Sequence, residues 1–308
     1  LTSLARTCSG IGDAIPTVLT MTVVPILGAG SSMADYRIGF KWWALIIAVV
    51  FVISELVCVA CVPERPVACD EKPGKISDMF KALFKNDQAM TVVVSIILVY
   101  TSLNICGNLV LYFFRFDVGN EGAYSIFAAV AFAAQVLVMM VIPLLRKRFS
   151  KGCLFISGFI IQIAGYAVIL IMAFSKLYTP QSWYILCLPG ILIYLGYGML
   201  NVIMTIFLSD SVDYGEVMNG TREESVIFSM QTFTVKLASG VAVFLAGLVV
   251  DWIHLDTAAA VQTQDTLDAL RMWMTIPSVI LLIVGIFVFK RFYKLDDTRM
   301  EEIKSKLN

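Results

Sequence analysis

The sequence predicts an all-α polytopic membrane protein, and three observations support that prediction. Hydrophobic residues make up 59% of the 308 residues and charged residues only 15%, whereas soluble domains carry ~25% charged residues. The apolar residues are grouped into stretches of about 20, the length that a membrane-spanning helix requires. Within them, segments such as residues 44–52 and 279–289 are continuously apolar, whereas the strands of a membrane β-barrel alternate in hydrophobicity.

Eight stretches have the length and hydropathy of membrane-spanning helices. In chain order they are residues 10–30, 41–62, 90–113, 123–145, 152–174, 183–208, 225–250 and 271–292. When residue 1 is placed in the cytoplasm, 17 Lys and Arg residues fall on the cytoplasmic side and 5 outside. Because cytoplasmic loops carry an excess of basic residues, we expect a multi-pass protein of the plasma (inner) membrane with both termini cytoplasmic.

The longest polar connection between spans divides the chain unequally. We expect residues 1–62 to be the last two helices of an N-terminal half and residues 90–308 to be a six-helix C-terminal half with a cytoplasmic tail. Residues 63–89 between them are predicted to form a cytoplasmic central loop, with a short amphipathic helix at 76–85 that is either a linker or lies on the membrane surface. Because transporters are commonly built from equal halves, the unequal division predicts that four preceding helices are absent.

One lysine lies near the centre of the seventh span, where an ionisable group is costly and usually functional. Lys236 shares a helix face with polar residues at spacings of 4, 3, 4 and 3, namely Ser225, Ser229, Thr232 and Ser239. Such a stripe on an otherwise apolar helix should face a hydrated cavity. The alternative is a buried structural ion pair with another helix.

Other polar side chains at membrane depth predict further cavity-lining positions. Asn104 and Asn108 are four residues apart in the third span and therefore point the same way. Arg6 and Asp13 share a face of the first span, two turns apart. Asp13 either carries a proton or pairs with a basic group, or it is a carboxylate bonded to neighbouring hydroxyls within the helix packing.

Acidic residues follow the sixth span at its cytoplasmic end. We define the gate cluster as Asp210, Asp213, Glu216 and Arg222. Carboxylates close to an arginine at the mouth of a pore can form salt bridges that break and re-form as the pore opens. The alternative, ordinary solvated loop charges, fits this compact group less well.

The sequence also predicts what the protein does not do. The 23 basic and 23 acidic residues balance, so we expect no nucleic-acid partner. His254 is the one histidine of the chain and lies in an outside loop, so neither a catalytic triad nor a His-rich metal site can be assembled. We therefore expect no enzyme, no cofactor and no metal site in this chain, with a polytopic membrane enzyme as the less favoured alternative.

Residues 209–216, 221–225 and 229–236 together resemble the signature around helices X and XI of the glycoside–pentoside–hexuronide:cation symporters, a branch of the major facilitator superfamily. Residues 85–88 resemble the start of helix VII in that family, and residues 4–6 the entry of helix V. The resemblance implies the major facilitator fold, with the eight spans corresponding to helices V–XII of twelve.

The resemblance also implies roles for individual residues. Arg6, Thr232 and Lys236 match family positions that bind sugar hydroxyls, and Asp210, Asp213 and Arg222 match the cytoplasmic gate. To these we add Asn104 as a substrate-binding residue, Glu216 as part of the gate, and four cavity-lining residues: Asp13, Ser229, Asn108 and Ser239.

The function that the resemblance implies is symport of a sugar with Na⁺ or H⁺ by alternating access. The resemblance also implies that the site of the coupling cation lies mainly on the family's helices that we expect to be absent from this chain. We expect a small sugar as substrate, the lipid bilayer as surroundings and a monomer at full length. An alternative keeps the fold but changes the solute, for example to a lysophospholipid.

Overall fold

The computed structural model of the protein describes residues 2–30, 33–61, 84–220, 224–257, 259 and 261–307. The described helices, in chain order, are α1 (Thr2–Gly28), α2 (Met33–Cys61), α3 (Asp87–Tyr112), α4 (Ala123–Leu145), α5 (Lys151–Phe174), α6 (Cys187–Asn219), α7 (Glu224–Trp252), α8 (Gln264–Phe292) and α9 (Asp297–Leu307). A π-helical turn, Phe113–Asp117, extends α3, and a 3₁₀ turn, Trp183–Leu186, precedes α6.

Seven helices within the described ranges are long and apolar enough to cross a membrane. They are α2 to α8 and coincide with seven of the eight predicted spans, so those predictions are confirmed by length and composition. The remaining prediction, residues 10–30, falls on α1, which is helical although several of its side chains are outside the described part. The predicted amphipathic helix at 76–85 lies outside the described residues up to residue 83.

The chain divides into two compact units: residues 11–75, and residues 1–10 together with 76–308. In the first unit, two prolines, Pro16 and Pro25, lie inside α1. The hydroxyl of Thr20 donates to the carbonyl of Pro16 at 2.5 Å and accepts a hydrogen bond from the indole N–H of Trp43 on α2 at 2.8 Å. The hydroxyl therefore joins α1 to α2.

The larger unit is a bundle of α3 to α8, in which α6 packs against α3, α4 and α5, and α3 also packs against α7 and α8. The α5–α6 contact depends on glycine. A Cβ atom at Gly196 would lie 2.6 Å from the carbonyl oxygen of Gly158, so any larger residue would push the two backbones apart. Small residues give membrane helices this close approach, which increases the dispersion contact between them.

Side-chain caps mark where several helices begin and end. Asn86 accepts a hydrogen bond from the backbone N–H of Ala89 at the start of α3, and its amide donates to the carbonyl of Ser211 on α6 at 2.7 Å. Ser150 caps α5. At the C-terminal end of α6, Gly220 adopts φ +72°, a left-handed conformation that glycine adopts without strain. The acidic residues of α6 consequently lie on a helix that continues well past the predicted span.

The C-terminal helix α9 packs on the end of α6 through a small apolar cluster. Leu295, Met300 and Ile303 are buried there against Tyr214 and Val217. The other side of α9 is charged and exposed. This contact holds the C-terminal segment beside the gate residues of α6.

Replacing Met300 by serine is expected to release α9 from the bundle. The buried methionine side chain stabilises the contact by about 1.5–3 kcal/mol. The cluster contains few other buried apolar side chains that could compensate for its loss. Hydrogen exchange at the amides of residues 297–307 should accelerate toward the rate of an isolated helix. Glu302→Ser, at an exposed position of the same helix, is the control and should leave protection unchanged. Equal protection in both variants would contradict the docking.

Candidate functional site

A polar network lies inside the bundle where α3 meets α6. The amide of Asn201 donates to the hydroxyl of Tyr100 at 2.7 Å and to the hydroxyl of Tyr197 at 3.3 Å. The two tyrosine rings meet edge to face, with centroids 5.5 Å apart. Asn201 is 7% exposed, and its side-chain oxygen accepts no hydrogen bond from any described residue. An unused acceptor in a buried network costs free energy unless a ligand or a water donates to it.

The network continues from α6 to α7. The amide of Gln231 donates to the hydroxyl of Thr205 at 3.4 Å, and that hydroxyl lies 3.1 Å from the carbonyl of Asn201. Sequence reasoning missed Asn201, Thr205, Gln231 and both tyrosines. A signal was present, because Tyr197, Asn201 and Thr205 recur every four residues along one face of α6.

The predicted polar stripe of α7 lies on an open face of the helix. Ser229, Thr232 and Lys236 are exposed and Ser239 is half-buried, whereas the buried face of α7 carries residues such as Gln231. The Ser229 hydroxyl donates to the carbonyl of Ser225 at 2.6 Å and the Thr232 hydroxyl to that of Phe228 at 3.4 Å.

The ammonium group of Lys236 makes no ion pair or hydrogen bond with any residue that the structure describes. The structural ion pair considered from the sequence therefore has no partner in those parts of the chain.

Both asparagines of α3 are half-buried and bond to their own helix. The Asn104 amide donates to the carbonyl of Tyr100 and the Asn108 amide to the carbonyl of Asn104, each at 2.7 Å. Each bond uses one of the two N–H groups of the amide and orients the side-chain oxygen, which is an acceptor for a donor such as a hydroxyl. Asn104 lies one turn from Tyr100 and so belongs beside the buried network.

The gate residue Asp210 is buried and paired with a lysine that sequence reasoning did not select. Its carboxylate lies 2.5 Å from the ammonium group of Lys151, the first residue of α5, and both residues are 5% exposed. Asp297, the first residue of α9, lies 3.4 Å from the same ammonium group, and Arg146 lies 3.7 Å from Asp297. The end of α4, the start of α5, α6 and the start of α9 thus meet in one charged group at this end of the bundle.

The structure describes only some of the remaining predicted site residues. Asp213 and Glu216 are half-buried on α6 beyond Asp210. Arg222 lies outside the described residues, as do the side chains of Arg6 and Asp13 on α1. The structure therefore brings Asp210 together with Lys151 and Asp297, and it brings Asn104 next to the tyrosine network.

A second buried charge group lies at the opposite end of the bundle. The guanidinium of Arg271 on α8 holds the carboxylate of Asp117 with two hydrogen bonds, of 2.5 and 2.9 Å, and reaches Asp268 at 2.7 Å. The hydroxyl of Tyr178 donates to Asp117 at 2.5 Å. Burial and the neighbouring Asp117 raise the pKa of Tyr178, which keeps its proton in that bond. Sequence reasoning also missed the Arg271–Asp117 pair, because its two residues are 154 positions apart in the chain.

Comparison with known proteins identifies the family. The family described as MFS/sugar transport protein matches residues 1–297. The chain belongs to that family. It is therefore a multi-pass membrane protein of the major facilitator fold, and this family consists of transporters rather than enzymes.

Several relatives of this MFS/sugar transport chain are named as transport proteins. It is 25% identical to the raffinose carrier protein of Pediococcus pentosaceus, over 99% of the chain and 47% of the relative. It is 24% identical to the isoprimeverose transporter of Lactiplantibacillus pentosus, over 96% of the chain and 60% of the relative. It is 22% identical to "Putative glycoside/cation symporter YagG" of Escherichia coli (strain K12), over 94% of the chain and 60% of the relative. The chain thus spans about half to three-fifths of the length of these relatives.

Proposed function

We propose that this chain serves secondary active transport of a sugar, such as a glycoside, pentoside or hexuronide, in symport with Na⁺ or H⁺ by alternating access. Family membership supports transport, and the names of the relatives that carry raffinose and isoprimeverose support a sugar as the small-molecule substrate. The name of a third relative includes cation symport. A coupling cation is therefore part of the proposal.

The observation that carries this proposal is the exposed polar stripe around Lys236. An ammonium group in the middle of a membrane span is costly in contact with lipid, and here it has no ion-pair partner among the described residues. A hydrated cavity removes that cost. Sugars are neutral and rich in hydroxyls, and a cationic donor gives them charge-assisted hydrogen bonds that are stronger than neutral ones.

We assign the binding of the sugar to Arg6, Asn104, Thr232 and Lys236, and the lining of the cavity to Asp13, Asn108, Ser229 and Ser239. Asn201 joins the binding residues, because its side-chain oxygen is buried without a donor. A sugar hydroxyl can supply that donor, and the half-buried ring of Tyr100 beside it offers an aromatic face on which a pyranose ring can pack.

We assign the closing of the cytoplasmic end to the gate cluster, Asp210, Asp213, Glu216 and Arg222, together with Lys151. The pair of Lys151 and Asp210 is supported as a closing contact by its short distance and burial. Asp297 offers Lys151 a second carboxylate 3.4 Å away. An exchange between two carboxylates would let the pair separate without leaving the ammonium group uncompensated.

The proposal includes the location of the protein and its division into domains. We place it in the plasma membrane as a monomer with both termini cytoplasmic, which agrees with the excess of basic residues on that side. Residues 1–62 then complete an N-terminal half, 63–89 form the central loop and 90–308 form the C-terminal half.

Uptake measurements test the proposed function. Vesicles containing the longest reading frame that includes this chain should accumulate at least one of raffinose, isoprimeverose or lactose when a Na⁺ or H⁺ gradient is imposed. Accumulation should collapse when an ionophore dissipates the gradient, because coupling links the two binding free energies. Equal uptake with and without both gradients would contradict symport. Uptake of a lysophospholipid but of no sugar would contradict the proposed substrate class.

A further inference from the structure

A cavity rich in basic side chains lies between α9 and the turn that joins α4 to α5. It has a volume of about 480 Å³ and is polar. Five basic residues line it: Arg146, Lys147, Arg148, Lys151 and Lys304. Neither sugar binding nor the gate uses the three outermost of these, Lys147, Arg148 and Lys304.

The acidic residues of the cavity neutralise only part of this charge. Asp297 lies 3.4 Å from Lys151 and 3.7 Å from Arg146, so its carboxylate already serves two cations. Glu301 is the other acidic lining residue. Lys147, Arg148 and Lys304 make no ion pair with any described residue. Three cationic groups are therefore available to an anion that enters the cavity.

Two further features favour an anion with several acceptor oxygens. Helix α5 begins at the cavity, and the positive end of its dipole adds to the positive potential of the basic side chains there. A second cavity of about 290 Å³ adjoins the first and shares Ser150, Lys151 and Asp297 with it. Tyr293 lines this second cavity, and its buried hydroxyl has no hydrogen-bond partner in the described parts of the chain.

An apolar surface borders the basic cavity on the membrane side. Leu144 and Val141, in the last turns of the spanning helix α4, are exposed, and Phe149, five residues after Leu144 in the chain, is exposed and lines the cavity. Apolar side chains that are exposed at the end of a spanning helix contact acyl chains. A ligand with an anionic head and a hydrocarbon tail would match both surfaces, whereas a free phosphate would contact only the basic one.

We propose that this cavity binds the phosphate of an anionic phospholipid, with Lys147, Arg148 and Lys304 holding the headgroup and the acyl chains lying along Val141 and Leu144. Basic pockets at the membrane surface of transporters offer the charge and shape that such headgroups need. Because Lys304 is on α9 and Arg148 precedes α5, the bound lipid would also hold α9 against the bundle.

Native mass spectrometry of the detergent-purified protein tests this proposal with phosphatidylglycerol as the probe. The variant K147Q/R148Q/K304Q should bind the lipid about a hundredfold more weakly, because each basic residue that contacts the headgroup contributes roughly a factor of five. The matched control K290Q/R291Q/R299Q removes the same number of charges from exposed positions that do not line the cavity. It should change the affinity by less than about twofold.

Two further measurements distinguish a lipid headgroup from a free phosphate ion as the bound anion. Phosphatidylcholine with the same acyl chains, which has no net charge, should bind weakly to the parent protein and equally to the triple variant. Millimolar inorganic phosphate should not displace phosphatidylglycerol. Equal weakening in both triple variants would reduce the effect to general surface charge, and displacement by free phosphate would assign the cavity to a soluble anion; either result overturns the proposal. Lys304→Glu, a single exposed change, repeats the test if the triple variant does not fold.

Discussion

Replacing Arg271 by methionine is expected to destabilise the helical bundle by about 3–5 kcal/mol, the cost of removing one partner from a buried ion pair. The side chains of Arg271 and Asp117 are each 3% exposed, so water cannot replace the lost guanidinium. Asp117 would keep only the hydrogen bond from Tyr178. The measurement is the thermal midpoint of unfolding in detergent, followed by circular dichroism.

A surface pair in the same part of the chain provides the control for Arg271. Arg115 lies 3.8 Å from Glu121, and both side chains are about half exposed. Arg115→Met should cost less than about 1 kcal/mol, the usual contribution of an exposed ion pair. Adding Asp117→Asn to the Arg271 variant should recover part of the loss, because the uncompensated charge is then removed. Similar midpoints for the two arginine variants would contradict a structural role for the buried pair.

Replacing Lys236 by glutamine is expected to reduce sugar uptake about 10- to 100-fold while leaving the amount of protein in the membrane unchanged. A hydrogen bond to a charged donor contributes about 1.5–3 kcal/mol, and Lys236 forms no bond within the described bundle whose loss would unfold it. The measurement is the initial rate of uptake of labelled sugar in vesicles, together with direct sugar binding by calorimetry.

The control for Lys236 is a lysine of the same chemistry that is not on the polar stripe. Lys290, at the end of α8, is exposed, and Lys290→Gln should leave uptake within about twofold of the parent rate. Loss of binding without loss of protein in the Lys236 variant would support contact with the sugar. Unchanged binding and uptake would remove Lys236 from the proposed site.

The spanning helices could be predicted because the information for them is local. A stretch of about 20 apolar residues enters a membrane whatever surrounds it, and α2 to α8 lie where such stretches occur in the sequence. The polar stripe of α7 was predictable for the same reason, since its spacing of three and four residues belongs to a single helix. Lys236 lies on an open face of the bundle, as the polar residues three and four positions away from it in the sequence predict.

The partners of these polar residues could not be predicted, because they come from distant parts of the chain. Lys151 and Asp210 are 59 residues apart, Asn201 and Tyr100 are 101 apart, and Arg271 and Asp117 are 154 apart. Each pair depends on which helices are neighbours and on how each helix is rotated about its axis. Because a spanning helix carries apolar side chains on nearly every face, its sequence does not specify that rotation.

The amino-acid sequence alone predicts the all-helical membrane architecture, the positions of α2 to α8 and the family resemblance that the comparison confirmed. The fold shows which charges are paired, that the side-chain oxygen of Asn201 has no donor among the described residues, and where basic residues of α9 and the α4–α5 turn form one cavity. The difference arises because the free energy of transferring a helix into the membrane is a sum over neighbouring residues. Pairing of buried polar groups instead requires atoms of separate helices to meet within about 3 Å, and packing alone sets that distance.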